Sequence, residues 1–531
     1  MGPTTDPRRR AKPTLLEALT SWRTASVSLL SFSSGLPLGV VWIAIPDWMR
    51  KSGIDIRIVG LITLAHAPWM FKVIWSPLMD RFAPPWLGRR RGWIAITQVA
   101  LFALTLLLAG VGDRPETPWV IFALALALAF ASASQDIVID AYAVDVLRPE
   151  EQGLAVGART ALYRAAMYVS GAVSITLASQ ISWTMVNALM ALLYLPMLYV
   201  TWRAPAPEET IPVPRTLREA VWQPFLGFLG RHRAIEILAF VLFYKFADQL
   251  AQSLQRPFLV DMGYSDIDRG LAVGTVGLVG ALVGTFLGGA LTTRLGLGHS
   301  LWVFGLLQIF SNLGFILVSQ SDVDRPLMYG AMGFEALTTG LGMGAFGVLL
   351  LRMTQRRFSA TQYALFSSLF ALPRLVAGPI TGFTVDALGW TAFFWITMLA
   401  GIPGLVLLAR FVPPGLRDPT FAVEAPRDRK RLSTAALALR ATLGGVIALT
   451  IALVCMASLA ELKASRGSAG HEFSLLSSLS ALIRPEQLTA WVQLLGSIVF
   501  GVACALLTAA VFAARHGAGL NPPGSEEDPS S

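Results

Sequence analysis

Long apolar stretches alternate with short polar ones along almost the whole chain. Each stretch is a nearly continuous run of Leu, Ala, Val, Ile and Gly of about 20 residues, the length that an α-helix needs to cross a bilayer core. The runs lack the alternation of a membrane β-strand, and backbone groups in hydrocarbon must be satisfied within their own segment. The pattern therefore predicts an all-α membrane protein with about 14 transmembrane helices.

The predicted helices, α1 to α14 in chain order, fall into groups of six, six and two. Their approximate bounds are 24–48, 57–79, 92–111, 118–141, 155–178, 182–202, 234–259, 270–291, 299–318, 327–350, 361–386, 390–411, 438–461 and 489–513. Stretches rich in Pro, charged residues or both separate the groups, as linkers between bundles would.

This grouping predicts the domain organisation, and α5 and α11 indicate a repeat within it. Their sequences align so that Arg164 falls on Arg374 and Gly171 on Gly378. Two homologous bundles are the simplest explanation, and transporters built from repeated halves bind their substrate where the halves meet. The predicted parts are a bundle with a cytoplasmic N-terminal tail at 1–203, a cytoplasmic linker at 204–233, a second bundle at 234–412, a cytoplasmic linker at 413–437, a two-helix hairpin at 438–514 and a disordered cytoplasmic tail at 515–531.

Composition supports the membrane assignment, and the charge distribution sets the predicted topology. The chain is 54% hydrophobic and 14% charged, with a mean hydropathy of +0.60. The net charge is +9, and most of the Lys and Arg residues lie in one set of alternate loops. The positive-inside rule predicts that these loops are cytoplasmic. Both termini are then cytoplasmic, and the basicity indicates topology rather than a nucleic-acid partner. Cys455 and Cys504 lie in apolar helices without metal-ligand spacing, so we expect no metal site.

The strongest chemical signal lies in α4, where Asp136 and Asp140 share one helix face beside Gln135. Carboxylates at membrane depth are expected to face a partner or an aqueous cavity. We therefore predict that Asp136 or Asp140 carries a proton or contacts substrate. Pairing with Arg159 or Arg164 of α5, which would only hold the bundle together, is the alternative. Asp145 is expected near the membrane surface.

A second polar stripe is predicted on α7, and a single acid, Glu335, stands in α10. The stripe has helical spacing and should line a cavity, although Lys245 and Asp248 could also simply neutralise each other. Glu335 is the third candidate for proton coupling. The stripe and its neighbour Tyr244 supply the substrate-contact candidates Tyr244, Lys245, Asp248, Gln249 and Gln252.

Further substrate contacts are predicted on α1, α5 and α11. Trp42 follows a predicted helix break at Gly35 and Pro37 and could stack on a sugar ring. Arginines can grip a carboxylate through two parallel hydrogen bonds, although Arg164 and Arg374 could instead join the bundles. The candidates on α5 and α11, to which Gln135 of α4 is added, are Arg159, Tyr163, Arg164, Gln362, Tyr363 and Arg374.

The loop between α2 and α3, SPLMDRFAPPWLGRRR, has an acidic residue followed by Arg, then Gly and an Arg cluster. Asp80 and Arg81 are the predicted gating residues. The matching loop between α8 and α9 keeps Arg294 but has Thr293 in place of the acid, so a gate there is doubtful. The chain contains no GxxxxGK[ST] loop, no HExxH and no GxSxG motif, which argues against an ATP-driven pump and against an enzyme.

Several of these stretches together resemble the AmpG family of muropeptide permeases within the major facilitator superfamily. The resemblance runs from about residue 24 to 412 and includes both halves. The stretches that carry it are FSSGLPLGVVW, DRFAPPWLGRRRGW, ASQDIVIDAY, LYRAAMYVSGA, LREAVWQPF, YKFADQLAQSLQRPFLVDMGYS and RRFSATQYALFSSLFALPRLVAGPITGFTVDALGW. The usual loop signature begins with Gly where this chain has Ser76, and APPWL lengthens its middle.

The resemblance implies a major facilitator fold with two additional C-terminal helices, in a multi-pass protein of the bacterial inner membrane. It implies proton-coupled import of N-acetylglucosaminyl-1,6-anhydro-N-acetylmuramyl peptides for peptidoglycan recycling, driven by the proton gradient without a cofactor. Gln135 and Asp136 map to the family's polar centre. We expect a monomer in the lipid bilayer, with alternating access around a cavity lined by α1, α4, α5, α7, α10 and α11. A transporter of acetyl-CoA or another organic anion is the alternative substrate class, and a non-transporting sensor also stays open.

Overall fold

The computed structural model describes residues 21–53, 65–112, 117–207, 214, 216–229, 233–419, 432–467, 474–485 and part of 491–513. All secondary-structure elements in these residues are helices, as the apolar pattern predicts. The predicted tails at both ends, and the first part of predicted α2, lie outside the described residues.

The first six helices follow the predicted order, and several contain a break. The segments of α1 are Trp22–Gly39, a π-helical turn at Val40–Ala44 and Ile45–Lys51; those of α2 are Ala67–Phe71, a 3₁₀ turn at Lys72–Ile74 and Ser76–Arg81. Next come α3 at Arg89–Val111 and α4 at Pro118–Val146. The segments of α5 are Pro149–Tyr168, a π-helical turn at Val169–Val173 and Ser174–Leu177, and those of α6 are Trp183–Leu192 and Tyr194–Arg203.

The second six helices are also close to their predicted bounds. The segments of α7 are Ala234–Phe243, Phe246–Ser253 and Gln255–Asp261; those of α8 are Asp266–Gly270, a π-helical turn at Leu271–Val276 and Gly277–Leu295. Then follow α9 at Leu297–Gln320, α10 at Arg325–Met353 and a 3₁₀ turn at Arg356–Phe358. The last stretch, Ser359–Phe411, comprises α11 and α12, which Gly389 separates with φ of 80°. Only glycine adopts that left-handed backbone without strain.

Nine helices in the described residues are long and apolar enough to cross a membrane. These are α1, α3, α4, α6, α8, α9, α10, α12 and α13 at Thr434–Gly467. Helix α5 carries several charged side chains, and α7 is divided into segments shorter than 18 residues, so neither meets this measure. The total of about 14 stays a prediction.

Each group of six helices has its own apolar core. In the first group, which we call the N-half, the core includes Trp48 against Trp183, with ring centroids 5.6 Å apart. In the second group, the C-half, Phe258, Phe315 and Phe394 pack together with centroids 4.9 to 6.0 Å apart. Both cores remove large aromatic rings from the surface, so each half packs around its own centre.

The described residues form two compact units. One contains α1 to α12, within Met1–Ala220 and Ile235–Phe421. The other contains α13 and the short helix Leu475–Ile483, within Val221–Ala234 and Ala422–Ser531. Part of the predicted linker 204–233 is a helix, Leu217–Leu229, for which the sequence analysis made no prediction. The described residues of predicted α14, within 491–513, are helical.

In the second unit, small residues bring α13 close to predicted α14. A Cβ atom on Gly444 would lie 2.4 Å from the Thr508 hydroxyl oxygen, and one on Gly445 would lie 2.8 Å from the Ala505 Cβ. Such contacts are typical of membrane helices that approach through small residues. They agree with the hairpin predicted for these two helices.

Candidate functional site

Close packing of α1 against α5 positions the side chains of the candidate site. A Cβ on Gly35 would lie 2.2 Å from the Tyr163 carbonyl oxygen, and one on Gly39 would lie 2.3 Å from the Met167 carbonyl oxygen. Only glycine allows this approach. The π-helical turn Val40–Ala44 follows directly and contains Trp42, close to the break predicted from Gly35 and Pro37. Such turns re-aim side chains, and they occur often at functional sites.

A cavity of about 460 Å³ lies between the two halves, in the range typical of small-molecule sites. Helices α1, α2, α4 and α5 line it from the N-half, and α10 and α11 line it from the C-half. The predicted lining helix α7 does not contribute to this lining, whereas α2 does. The polar and aromatic lining residues are Ser31, Ser34, Trp42, Trp69, Lys72, Asp136, Asp140, Arg159, Thr160, Tyr163, Arg164, Phe346, Tyr363, Ser367 and Phe370.

Both α4 carboxylates face this cavity, with different partners. Asp140 forms ion pairs with Arg159 of α5 and with Lys72, whose Nζ lies 3.6 Å from Asp140 Oδ2. Asp136 accepts a hydrogen bond from the Ser34 hydroxyl of α1. The predicted pairing with Arg159 therefore applies to Asp140, and Asp136 receives a neutral donor. Asp140 with its two cations and the separate carboxylate of Asp136 therefore share one cavity between the halves.

One wall of the cavity is aromatic. The ring of Trp42 lies 4.6 Å from the His66 ring and 6.0 Å from the Trp69 ring, measured between centroids. Trp69, which the sequence analysis did not single out, also lines the cavity. Flat aromatic surfaces beside charged groups suit a ligand that has both apolar ring faces and charged groups.

The predicted α7 stripe forms a separate buried cluster with α10, which we call the α7–α10 network. Lys245 Nζ lies 2.8 Å from Asp248 Oδ2 and 3.0 Å from the Thr339 carbonyl oxygen, and it also donates to Gln308 of α9. Gln252 Nε2 donates to Glu335 Oε1 at 2.7 Å. The mutual neutralisation considered for Lys245 and Asp248 is thus present, and the stripe bonds to itself and to α9 and α10 instead of lining the cavity described above.

Other predicted contact residues lie away from the cavity lining. Gln135 is fully buried and donates to the Ser33 hydroxyl at 2.8 Å, and the Tyr244 hydroxyl donates to the Leu301 carbonyl at 2.9 Å. Gln362 accepts a hydrogen bond from the Gln355 backbone N–H at 2.8 Å. Gln249 belongs to the middle segment of α7. The side chain of Arg374 lies outside the described part of the structure.

A buried cluster around Asp80 joins the two halves at the end that carries Arg89–Arg91, Arg356 and Arg357, which we call the basic end. Asp80 accepts hydrogen bonds from the Thr361 backbone N–H at 2.8 Å and the Thr361 hydroxyl at 2.7 Å. These groups belong to the first turn of α11, where the helix dipole favours a negative charge. A carboxylate of the N-half therefore caps a helix of the C-half.

Arg90 holds this cluster together. Its guanidinium lies 2.7 Å from Asp80 Oδ1, 2.8 Å from Asp145 Oδ2 and 2.7 Å from the Ser359 hydroxyl. We call Asp80, Arg90, Asp145, Ser359 and Thr361 the clasp. Asp145 is 3% exposed and takes part in the clasp, whereas Arg81, the second predicted gating residue, lies near Phe82 with 5.5 Å to the ring centroid. The gating role of Asp80 and Arg81 stays a prediction.

Close backbone contacts support the clasp at the basic end. A Cβ on Gly153, near the start of α5, would lie 2.2 Å from the carbonyl oxygen of Gly289, near the end of α8. Val156 of α5 similarly fills the space beside Gly347 of α10. The two halves therefore touch through small residues close to the clasp.

Lys72, Trp69 and Arg90 are among the residues of these sites that were not predicted as site residues. Lys72 is a lone cation inside a predicted membrane helix, which is a functional signal by itself. Arg90 was hidden in a run of three arginines that the positive-inside rule already explains. Trp69 carried no separate signal, because tryptophans are common at membrane interfaces.

Two six-helix halves that share a polar cavity and are joined at one end by a buried ionic clasp are the arrangement expected of a membrane transporter. A family model described as Major Facilitator Superfamily matches residues 27–377. The anhydromuropeptide permease of Escherichia coli K12 is 41% identical over 388 residues, which cover 73% of this chain and 79% of that permease. An uncharacterized protein of Haemophilus influenzae is 35% identical over 395 residues, covering 72% of this chain and 92% of the relative.

Solved structures show the same fold. A proton:xylose symporter has a TM-score of 0.58 at 13% identity, covering 76% of this chain and 98% of its own. The fucose:proton symporter of E. coli has a TM-score of 0.57 at 12% identity, covering 73% and 98%. The chain therefore belongs to the major facilitator superfamily and, within it, to the AmpG family of permeases. It is a multi-pass membrane protein, as the sequence analysis predicts.

Proposed function

We propose that this protein imports anhydromuropeptides across the bacterial inner membrane together with protons, by alternating access. The observation that carries the proposal is a cavity with paired acids, cations and aromatic rings in a chain 41% identical to an anhydromuropeptide permease. The proposal includes no cofactor: the proton gradient supplies the energy. We further propose a monomer with both termini in the cytoplasm.

The chemistry of the cavity matches the parts of such a substrate. Lys72, Arg159 and Arg164 provide positive charge for the carboxylates of a peptide, and Trp42 and Trp69 provide flat surfaces for the sugar rings. Lys72 and Arg159 are already bonded to Asp140. A substrate carboxylate would compete with Asp140 for these cations. Binding of an anionic substrate would therefore change the electrostatic surroundings of Asp140 and Asp136.

We propose that Asp136 carries the coupling proton, shared with Asp140 or Glu335. Asp136 accepts a hydrogen bond from the neutral Ser34 hydroxyl, whereas Asp140 forms ion pairs with two cations, and this difference in partners is why the proposal places the proton on Asp136. In alternating access the two halves rock around the cavity. The positive-inside rule makes the basic end cytoplasmic, so the clasp supports a state in which the cavity is closed to the cytoplasm.

Uptake into proteoliposomes tests the proposal. Vesicles containing purified protein receive labelled anhydromuropeptide with an imposed inward proton gradient, without a gradient, and with a protonophore. We expect accumulation only with the gradient, and loss of accumulation in Asp136→Asn. Asp322→Asn is the matched control, because Asp322 is an exposed acid in the α9–α10 loop.

Two outcomes would contradict the proposal. Accumulation by wild type without a gradient, unchanged in Asp136→Asn, would exclude proton coupling through this acid. Binding of acetyl-CoA in preference to anhydromuropeptide, measured by competition for the labelled ligand, would replace the substrate class with the alternative organic anion.

A further inference from the structure

The middle segment of α7 is bounded by two backbone breaks and is tied to α10 between them. Lys245 (φ −108°, ψ 4°) precedes the segment Phe246–Ser253, and Leu254 (φ −121°, ψ 31°) follows it. Asp248 and Gln252 lie on this segment, one helical turn apart. Both bond to side chains of α10, so their hydrogen bonds decide how firmly the segment is held.

The hydroxyl of Thr339 lies between two carboxylates. Thr339 Oγ1 is 3.0 Å from Glu335 Oε1 and 3.3 Å from Asp248 Oδ2, and it is 3.2 Å from Gln252 Nε2, which donates to it. A hydroxyl has one hydrogen, so it can donate to only one of the two carboxylates. If Glu335 and Asp248 are both ionised, Thr339 Oγ1 donates its hydrogen to one carboxylate and faces the other with no hydrogen between the two oxygens. That second contact is then repulsive.

One additional proton removes this conflict, and the neighbouring charges indicate where it binds. Asp248 already pairs with the Lys245 ammonium, whereas the hydrogen-bond donors of Glu335 are the amide of Gln252 and the Thr339 hydroxyl. Glu335 is 3% exposed in the membrane part of α10. Among the described side chains, its ionisable neighbours are Asp248 and Lys245 from α7; α9 contributes the neutral Gln308. The buried ammonium of this network is therefore already paired with Asp248, and the additional proton falls to Glu335.

We propose that Glu335 is a proton-binding site in the C-half, separate from the substrate cavity, and that its proton locks the middle segment of α7 to α10. The protonated Glu335 donates to the Thr339 oxygen, and the Thr339 hydroxyl then donates to Asp248. When the proton leaves, the Thr339 hydrogen turns to Glu335 and its bond to Asp248 is lost. The segment Phe246–Ser253 is then held less firmly between its two breaks. This inference rests on the proposed proton coupling and assigns one coupled proton to the C-half.

The test compares net accumulation with exchange in the same proteoliposomes. Exchange of labelled for unlabelled anhydromuropeptide requires a folded protein and alternating access but no net proton transfer. With a gradient of one pH unit, each coupled proton contributes about tenfold to accumulation, since one pH unit is about 1.4 kcal/mol. We expect Glu335→Gln to lower accumulation about tenfold relative to wild type while exchange persists.

Thr339 provides the matched pair of variants. Thr339→Val removes the hydroxyl and should lower accumulation as Glu335→Gln does, whereas Thr339→Ser keeps the hydroxyl and should behave as wild type. Infrared spectra should contain a protonated carboxyl band in wild type near neutral pH that Glu335→Gln lacks. The band reports the site even where a variant transports poorly.

Each failure has its own signature. If wild type shows no gradient-driven accumulation, the proposed function fails. If wild type accumulates and Glu335→Gln accumulates equally well, Glu335 does not bind a coupled proton. Equal accumulation by Thr339→Val would exclude the hydroxyl relay. Accumulation that requires external sodium, tested by replacing it with choline, would overturn the assignment of the ligand as a proton.

Discussion

The N-half and the C-half both carry charged side chains at membrane depth, but in different surroundings. In the N-half, Lys72, Asp136 and Asp140 line an open cavity. In the C-half, Lys245 and Asp248 are bonded to each other and to α9 and α10. Charged side chains beside an open cavity can exchange their ion-pair partners for a ligand. Charges in a sealed network can change only when a proton enters or leaves, because separating them would leave an unpaired ion in a medium of low polarity.

The two halves also differ in the loop that follows their second helix. In the N-half, Asp80 reaches across to α11 of the other half. In the C-half the corresponding position is Thr293, and a carboxylate comes instead from Asp418, after α12. Asp418 pairs with Arg352 at 2.6 Å and accepts from the Leu297 backbone N–H at 3.2 Å. Since these partners all belong to the C-half, this second carboxylate stabilises one half and does not join the two.

The largest effect is expected for Arg90→Met, which removes the cation of the clasp. Asp80 and Asp145 would be left buried without Arg90, a change that typically costs about 3–5 kcal/mol. We expect the closed state of the basic end to be depopulated. Spin labels at Ala83 and Arg356, both exposed at this end, would report a longer and broader distance distribution. Arg81→Met is the control and should leave the distances unchanged; an unaltered distribution in Arg90→Met would show that the clasp does not hold the gate.

A similar loss of stability is expected for Lys245→Met. Asp248 would remain buried without its ammonium, and we expect the free energy of unfolding to fall by about 3–5 kcal/mol, measured by denaturant titration in detergent. The double variant Lys245→Met with Asp248→Asn removes both charges and should recover most of this loss. If the double variant is no more stable than the single one, the pair is not the sealed network described here.

Lys72→Met tests the ion pair between Lys72 and Asp140, which lines the cavity of the N-half. Asp140 keeps Arg159 and faces the cavity, so we expect a smaller loss of stability, about 1–2 kcal/mol. The main effect should be on substrate binding, with affinity for anhydromuropeptide about tenfold weaker in an equilibrium binding assay. Lys72→Arg keeps the charge as the control. A stability loss as large as that of Lys245→Met would erase the distinction between the open and the sealed cluster.

The smallest effect is expected for Asp418→Asn, because its side chain is 51% exposed and surface pairs contribute about 1 kcal/mol or less. Burial alone would raise the pKa of Asp418, but hydrogen bonds from Arg352 and the Leu297 N–H outweigh it and hold the pKa below its usual value. The carboxylate therefore contributes stability above about pH 4, and this contribution is lost as the pH falls through the lowered pKa. The difference in unfolding free energy between wild type and Asp418→Asn should vanish in that range. Label distances at the basic end should not change; if they do, Asp418 also serves the gate.

The sequence predicted the bounds of the helices well, but it did not predict which charged side chains pair with each other. The bounds of α3, α6 and α12 differ from prediction by three residues or fewer, because spanning length and hydrophobicity are local properties of the chain. The α4 acids were found for a related reason: a charge at membrane depth stands out wherever it occurs. By contrast, Arg90 could not be distinguished from Arg89 and Arg91 by sequence.

The sequence by itself thus determined an all-α membrane protein of the major facilitator superfamily, with two repeated halves and an unusual set of intramembrane charges. Only the tertiary structure decided which charges meet. It placed Lys72 with Asp140 in the cavity, separated Lys245 and Asp248 from that cavity, and joined Asp80 to α11 both directly and through Arg90. The physical reason is that hydrophobicity acts on each segment alone, whereas an ion pair depends on how neighbouring helices are rotated and packed against each other.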